Sequence, residues 1–185
     1  MEQALRRTLA DAVAMLGGRG IPAAVIGGLA VSLRGQPRMT VDVDLIVLAD
    51  VEQAVGLVRD LLETPFEPLF PGVEEVVSRS FILPLRHRST GVRVDLALGM
   101  SGFEQEAVAR ATAIDLGGTP VPVVVAVDLL VMKALAGRPR DEEDMRGIIA
   151  TQGESLDWDA CLDLARQLGA AIDVDIASRL EAVRR

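Results

Sequence analysis

The chain has 185 residues, half of them apolar, and a net charge of −8 from 19 Lys plus Arg against 27 Asp plus Glu. This length and composition support one folded domain, or a catalytic domain with a small helical extension, and exclude a disordered chain. The acidic balance argues against broad electrostatic capture of a nucleic-acid backbone, although Arg86, His87, Arg88 and Arg93 could form a local basic patch.

Cys161 is the only cysteine and His87 the only histidine, so neither a disulfide framework nor a Cys/His zinc site can be built. Any metal must be held by oxygen, which points to Mg²⁺ or Mn²⁺. His87, between Arg86 and Arg88, reads as a surface residue at a strand end, and Cys161 as a small core residue on an amphipathic helix. The apolar stretch from Val121 to Met132 is broken by Pro122 and Asp128 and is too short to span a membrane. Residues 1–7 carry no apolar signal core, so a cytoplasmic protein is expected.

Along the chain, Leu5, Leu9, Val13 and Leu16 recur at helical spacing, predicting a helix over 2–16 that ends at Gly17-Gly18. A buried strand is expected from Ile21 to Ile26, and Gly27-Gly28 then opens a short helix from Leu29 to Leu33. Val41 to Leu48 is the strongest strand. Asp50 reads as the N-cap of a helix to about Leu62, with Val51, Val55 and Val58 on one face. Pro65, Pro68 and Pro71 mark a loop. Strands are expected at Phe81–Leu85 and Val92–Leu98 around a Ser89-Thr90-Gly91 turn, and again at Val121–Ala126. From Asp128 the pattern is helical, over about 128–136, 141–151, 157–168 and 174–183, punctuated by Gly137, Pro139, Gly153 and Gly169.

The chemistry lies in the carboxylates. In a strand, residues i and i+2 share a face, so Asp42 and Asp44 are neighbours roughly 7 Å apart, while Val41, Val43 and Leu45 face a core. Side by side at a buried strand, two such charges repel and lose hydration, and a bound cation removes both problems. For an isolated Asp-x-Asp, a strand end emerging into water is the commoner explanation. Here the apolar run Leu45-Ile46-Val47-Leu48 follows the pair, the reverse of the order in haloacid-dehalogenase-type phosphatases and nucleotide-sugar glycosyltransferases. A third carboxylate, Asp95, lies in Arg93-Val94-Asp95-Leu96 with Arg93 on its face; it is either a third metal-binding carboxylate on an adjacent strand or half of an Arg–Asp pair along an exposed strand face. Gly27-Gly28, between a strand and a helix, would let the backbone approach an anion closely, or would simply make a tight turn.

Taken in order, Gly27-Gly28, Arg38-x-Thr40-x-Asp42-x-Asp44 and Asp95 resemble the DNA-polymerase-β-like nucleotidyltransferase superfamily, with the nearest likeness to the minimal nucleotidyltransferases and the AbiEii-type toxin family. The likeness extends to Lys133-x₂-Ala136 and Arg140-x₃-Asp144 and covers roughly residues 23–150. It implies an α+β fold: a mixed β-sheet flanked by helices over 1–126, with a helical C-terminal part over 127–185. It also implies transfer of NMP from an NTP to an acceptor hydroxyl. Asp42, Asp44 and Asp95 would be the catalytic residues and the ligands of Mg²⁺ or Mn²⁺. Gly27, Gly28, Arg38, Thr40, Lys133, Arg140 and Asp144 would contact the nucleotide. Lys133 is the only lysine among 19 Lys and Arg residues, on an inward face with Leu129, Met132 and Ala136, where it is either a phosphate contact or a snorkelling core-edge cation. Arg140 and Asp144 could equally form a helix-surface ion pair. Where many relatives have Gly-Ser, this chain has Gly28, and Ser32 lies one turn on. For the acceptor, the resemblance places a tRNA end first, in a toxin–antitoxin-like context with a cognate partner. A protein hydroxyl and an antibiotic-type small molecule come next, and an inactive nucleotide-binding or antitoxin module on the same fold is the rival.

Overall fold

The structure is a computed structural model and describes residues 3–184; Glu2, the expected start of the first helix, lies outside them. The described residues form two compact units. Residues 1–29 and 39–123 make one, and residues 30–38 and 124–185 the other.

In the first unit, α1 (Gln3–Gly17) precedes β1 (Ala23–Val25), and α2 (Gly27–Arg34) begins directly after it. Then come β2 (Asp42–Val47), α3 (Val51–Arg59), β3 (Phe66–Pro68), α4 (Val73–Ser80), β4 (Ile82–His87), β5 (Arg93–Leu98), α5 (Gly102–Ala109), β6 (Thr112–Asp115) and β7 (Pro120–Val123). The strands form one seven-stranded sheet in the order β3-β4-β5-β2-β1-β7-β6. The β2–β5 and β1–β7 pairs are parallel and the others antiparallel, so the sheet is mixed and, with its flanking helices, makes the expected α+β fold.

Alternation decides which sheet face is core. Val43, Leu45 and Val47 of β2, Val94, Leu96 and Leu98 of β5, and Leu83 and Leu85 of β4 are all buried. The opposite face carries Asp42 and Asp44 on β2, Arg93 and Asp95 on β5 and Arg86 on β4. Val41, expected to face the core, is 75% exposed, because the strand begins only at Asp42.

Local signals explain the helix boundaries. Asp50 caps α3 in a capping box: its Oδ1 accepts the Gln53 N–H at 2.7 Å, and Gln53 Oε1 accepts the Asp50 N–H at 2.9 Å. The buried residues of α3 are Ala54 and Leu57, whereas Val51, Val55 and Val58 are only half-buried. Ser101 and Glu104 form the same box on α5, a helix that the apolar spacing does not announce. The proline-marked loop at 65–71 contains β3. Its Pro68 is tolerated because β3 is an edge strand. Val73 and Val77, one turn apart, are the buried residues of the short α4 that follows.

The second unit holds α6 (Ala126–Ala136), α7 (Pro139–Gln152), α8 (Trp158–Ile172) and α9 (Ile176–Arg184). Gly137, at φ +60°, ends α6, and Pro139 opens α7. Residues 30–38, which the sequence reading assigned to the sheet domain, group with these helices. Arg34 Nε donates to the Val124 carbonyl at 3.0 Å, and Gln152 donates to the Arg34 carbonyl. Gly35 lies against Ile148, where an added Cβ would come 3.0 Å from its backbone. Cys161 is fully buried on α8, as expected of a small core residue.

Candidate active site

Strand pairing brings the three expected carboxylates to one sheet face. Asp44 and Asp95 are directly paired Cα partners in the parallel β2–β5 ladder, and Asp42 is paired with Arg93. Paired strands lie about 4.8 Å apart, so Asp44 and Asp95 are immediate neighbours. Thr40 Oγ1 donates to Asp42 Oδ1 at 3.0 Å, which orients that carboxylate.

The glycine turn sits on the same group. The Ile26 N–H donates to the Asp44 carbonyl at 3.0 Å, and the chain turns into α2 through Gly27 at φ +63°. A Cβ on Gly27 would lie 2.0 Å from Asp44 Oδ2 and 2.6 Å from its carboxylate carbon. Position 27 therefore demands glycine twice, for its left-handed backbone and for the space that Asp44 fills. Gly28 follows in the first turn of α2, whose N–H groups suit an anion.

Asp95 is engaged by Arg93. The guanidinium Nε donates to Oδ1 at 2.8 Å and an Nη approaches Oδ2 at 2.8 Å, a two-pronged contact two residues along the strand. The Asp95 hydrogen bond, with Asp42 and Asp44 adding attraction, raises the Arg93 pKa above its ordinary value. Among the described residues, no three acid, imidazole or thiol side chains close on a common point. Asp95 is turned to Arg93, and Asp42 accepts from Thr40. In chemistry the donors fit a hard divalent cation: all are carboxylate oxygens on adjacent strands, and Gly27 leaves Asp44 the room it occupies.

The second unit gathers the remaining expected cations. Lys133 is 5% exposed, with Nζ 2.8 Å from Asp141 Oδ1 and 2.7 Å from Asp144 Oδ2. Arg38 Nε stands 3.1 Å from Asp144 Oδ1 but makes no hydrogen bond, so that contact is Coulombic. Ser32 positions the Arg38 backbone, donating to its carbonyl at 3.1 Å and accepting its N–H at 3.3 Å. Asp141 also receives Arg138 Nε at 2.8 Å and the Arg138 N–H at 3.1 Å. Burial pushes the Asp141 carboxyl up, but hydrogen bonds from Arg138 and Lys133 outweigh it and hold the group below its usual value. Asp144 is thus a shared anchor for Lys133 and Arg38, whereas Arg140 is exposed. Asp141 and Ser32, absent from the motif, are what this network adds. A carboxylate three residues into a helix behind a Pro-started turn was the available signal for Asp141.

His87 is not on the surface. It is fully buried, edge-on to Phe66 at 5.1 Å between ring centres, with Nε2 2.9 Å from Asp11 Oδ2. The tight turn folds Thr90 back so that its N–H and hydroxyl reach His87 Nδ1 at 3.2 and 3.0 Å. These contacts make His87 a structural pin between α1 and the β4–β5 turn.

Comparison with known proteins agrees with this frame. An antigenic nucleotidyltransferase-like protein from Paracoccidioides brasiliensis superposes with a TM-score of 0.60 at 21% identity, over 98% of this chain and 94% of its own. The antibiotic-resistance factor ANT(2'')-Ia superposes with a TM-score of 0.61 at 15% identity, over 94% of this chain and 97% of its own. A second structure of ANT(2'')-Ia, in complex with adenylyl-2''-tobramycin, gives 0.61 at 14% identity over 90% and 99%. At these identities the likeness concerns the fold. No curated protein matches the chain in sequence. The family model described as nucleotidyl transferase of unknown function (DUF2204) matches residues 5–167, and the chain belongs to that family of nucleotidyltransferases.

Proposed function

We propose that the protein transfers a nucleoside monophosphate from an NTP to a hydroxyl of a small amino- or hydroxyl-rich acceptor, with Mg²⁺ or Mn²⁺ held by Asp42, Asp44 and Asp95. The observation that carries this reading is the Asp44–Asp95 register pair, with Asp42 on the same face and the bare Cα of Gly27 packed against Asp44. A divalent cation bound there would supply positive charge for the triphosphate and for the attacking oxygen. The amides of the Gly27-Gly28 turn orient phosphate oxygens. Asp95 accepts the proton of the acceptor hydroxyl as that oxygen bonds to the α-phosphorus, the α–β phosphoanhydride breaks, and pyrophosphate leaves. Thr40 holds Asp42 in orientation. We assign Lys133 and Asp144 to the network that fixes Arg38, since the ammonium already donates to two carboxylates.

The acceptor class follows from charge. Of the basic patch that would favour an RNA end, His87 is buried, Arg88 is paired with Glu67 at 3.0 Å, and Arg93 is on Asp95, which leaves Arg86 alone on the sheet face. One arginine on a chain of net charge −8 does not make a polyanion site, and the acidic balance suits a neutral or cationic acceptor. The ANT(2'')-Ia structure holds adenylyl-2''-tobramycin, the nucleotidylated form of a small hydroxyl-bearing acceptor.

The test incubates the protein with Mg²⁺ and each α-labelled NTP against a panel of aminoglycosides and other hydroxylated amines, total RNA, cell protein and itself, with Asp44→Asn alongside. Label on a small molecule is expected. Label on RNA or protein instead overturns the acceptor class, and no Asp44-dependent label in any arm favours an inactive nucleotide-binding module.

A further inference from the structure

Arg93 has no place in the transfer just described, yet it occupies the middle of the carboxylate face. Its position is dictated by strand geometry. It shares a face with Asp95 two residues on, it is the Cα partner of Asp42 in the parallel ladder, and it is the partner of Arg86 in the antiparallel one. A second cation directly across one strand and a carboxylate directly across the other push and pull the guanidinium the same way, toward the acids. It meets Asp95 with both prongs at 2.8 Å, so both carboxylate oxygens are occupied.

We propose that Arg93 is the built-in counter-ion of the three-carboxylate face, standing on Asp95 until a divalent cation displaces it, and that it thereby sets how tightly the site holds metal. The inference rests on the proposed metal site. Two features make displacement feasible rather than prohibitive. The Arg93 side chain is 51% exposed, so it can swing into water without losing hydration, whereas Asp95 is 19% exposed and needs a cation at all times. The contact is also half-exposed on the Arg93 side: its two-pronged geometry makes it stronger than an ordinary surface pair, but water and salt screen it enough for a divalent cation to displace it. The arrangement keeps three neighbouring carboxylates from repelling one another in the empty enzyme, and weakens metal binding by the strength of the contact that must break.

The experiment measures Mn²⁺ binding by paramagnetic resonance of the free ion, without nucleotide, for the wild type, Arg93→Gln, Arg93→Lys and Asp44→Asn. Melting curves in EDTA and in saturating Mn²⁺ accompany it. Arg93→Gln is expected to bind Mn²⁺ about 5- to 10-fold more tightly. It is also expected to melt lower than wild type in EDTA, with the gap closing in Mn²⁺. Arg93→Lys, which keeps the charge and loses the fork, is expected to fall between the two and covers the case in which Arg93→Gln does not fold. Binding that is unchanged or weaker in the Arg93 variants, with Asp44→Asn still abolishing it, overturns the counter-ion role alone. Absence of Mn²⁺ binding in the wild type, or binding that survives Asp44→Asn, overturns the metal-site reading and this inference with it.

Discussion

The side chain of Asp44 fills the space in which position 27 would carry its Cβ: an atom placed there would lie 2.0 Å from Oδ2, on a backbone already at φ +63°. The glycine turn and the carboxylate pair are therefore one device. Gly27→Ala must either unwind the start of α2 or push the Asp44 carboxylate aside. The expected outcome is a loss of transfer activity of at least about 100-fold. Left-handed strain at a non-glycine residue adds a stability loss of roughly 1–3 kcal/mol, measurable by urea denaturation.

Lys133 offers a test of the buried network. Its ammonium touches Asp141 and Asp144, each with 3% of its side chain exposed, so Lys133→Met leaves two buried carboxylates with only Arg138 and Arg38 to answer them. A destabilisation on the order of 3 kcal/mol is expected from chemical denaturation. A change below about 0.5 kcal/mol would mean the network contributes nothing to the helical unit.

Asp141 makes stability depend on pH in a definite direction. Its folded pKa lies below the unfolded value, so its contribution is complete above the unfolded pKa, near 4, and is lost as pH falls through the folded one. Asp141→Asn should therefore be less stable than wild type at pH 7, with the difference shrinking below about pH 4. A constant difference from pH 7 to pH 3 would contradict the assignment.

Burial, with Asp128 and Asp157 adding negative charge, pushes the Cys161 thiol up to about 12. The thiol also donates to the Val127 carbonyl at 3.7 Å. The native protein should resist a thiol reagent at pH 8 and react fully once unfolded in guanidinium.

Much of this site was legible because it depends on period and order. The alternation Val41 to Leu45 placed Asp42 and Asp44 on one face, and a strand pattern around Asp95 was enough to suggest a third carboxylate. What the sequence did not carry was pairing. Nothing in Arg93-x-Asp95 says that β5 lies parallel to β2 in the register that sets Asp95 beside Asp44. His87 looked exposed between two arginines because burial there depends on Asp11, 76 residues away, and on a turn that folds Thr90 onto the ring. β3 and α4 hid behind prolines, and β6 is an edge strand with little apolar content to mark it. Lys133 was read as inward-facing, correctly for its burial, but its two carboxylate partners lie on the next helix and emerge only from packing.

The central claim is that Asp44 serves nucleotidyl transfer and not the fold. Its direct test is the initial rate of label transfer from an α-labelled NTP to the best acceptor, compared between wild type and Asp44→Asn at matched Mg²⁺, with melting curves of both. The account predicts a rate loss of roughly 10³-fold or more with folding intact. Full activity in a well-folded Asp44→Asn protein would contradict it.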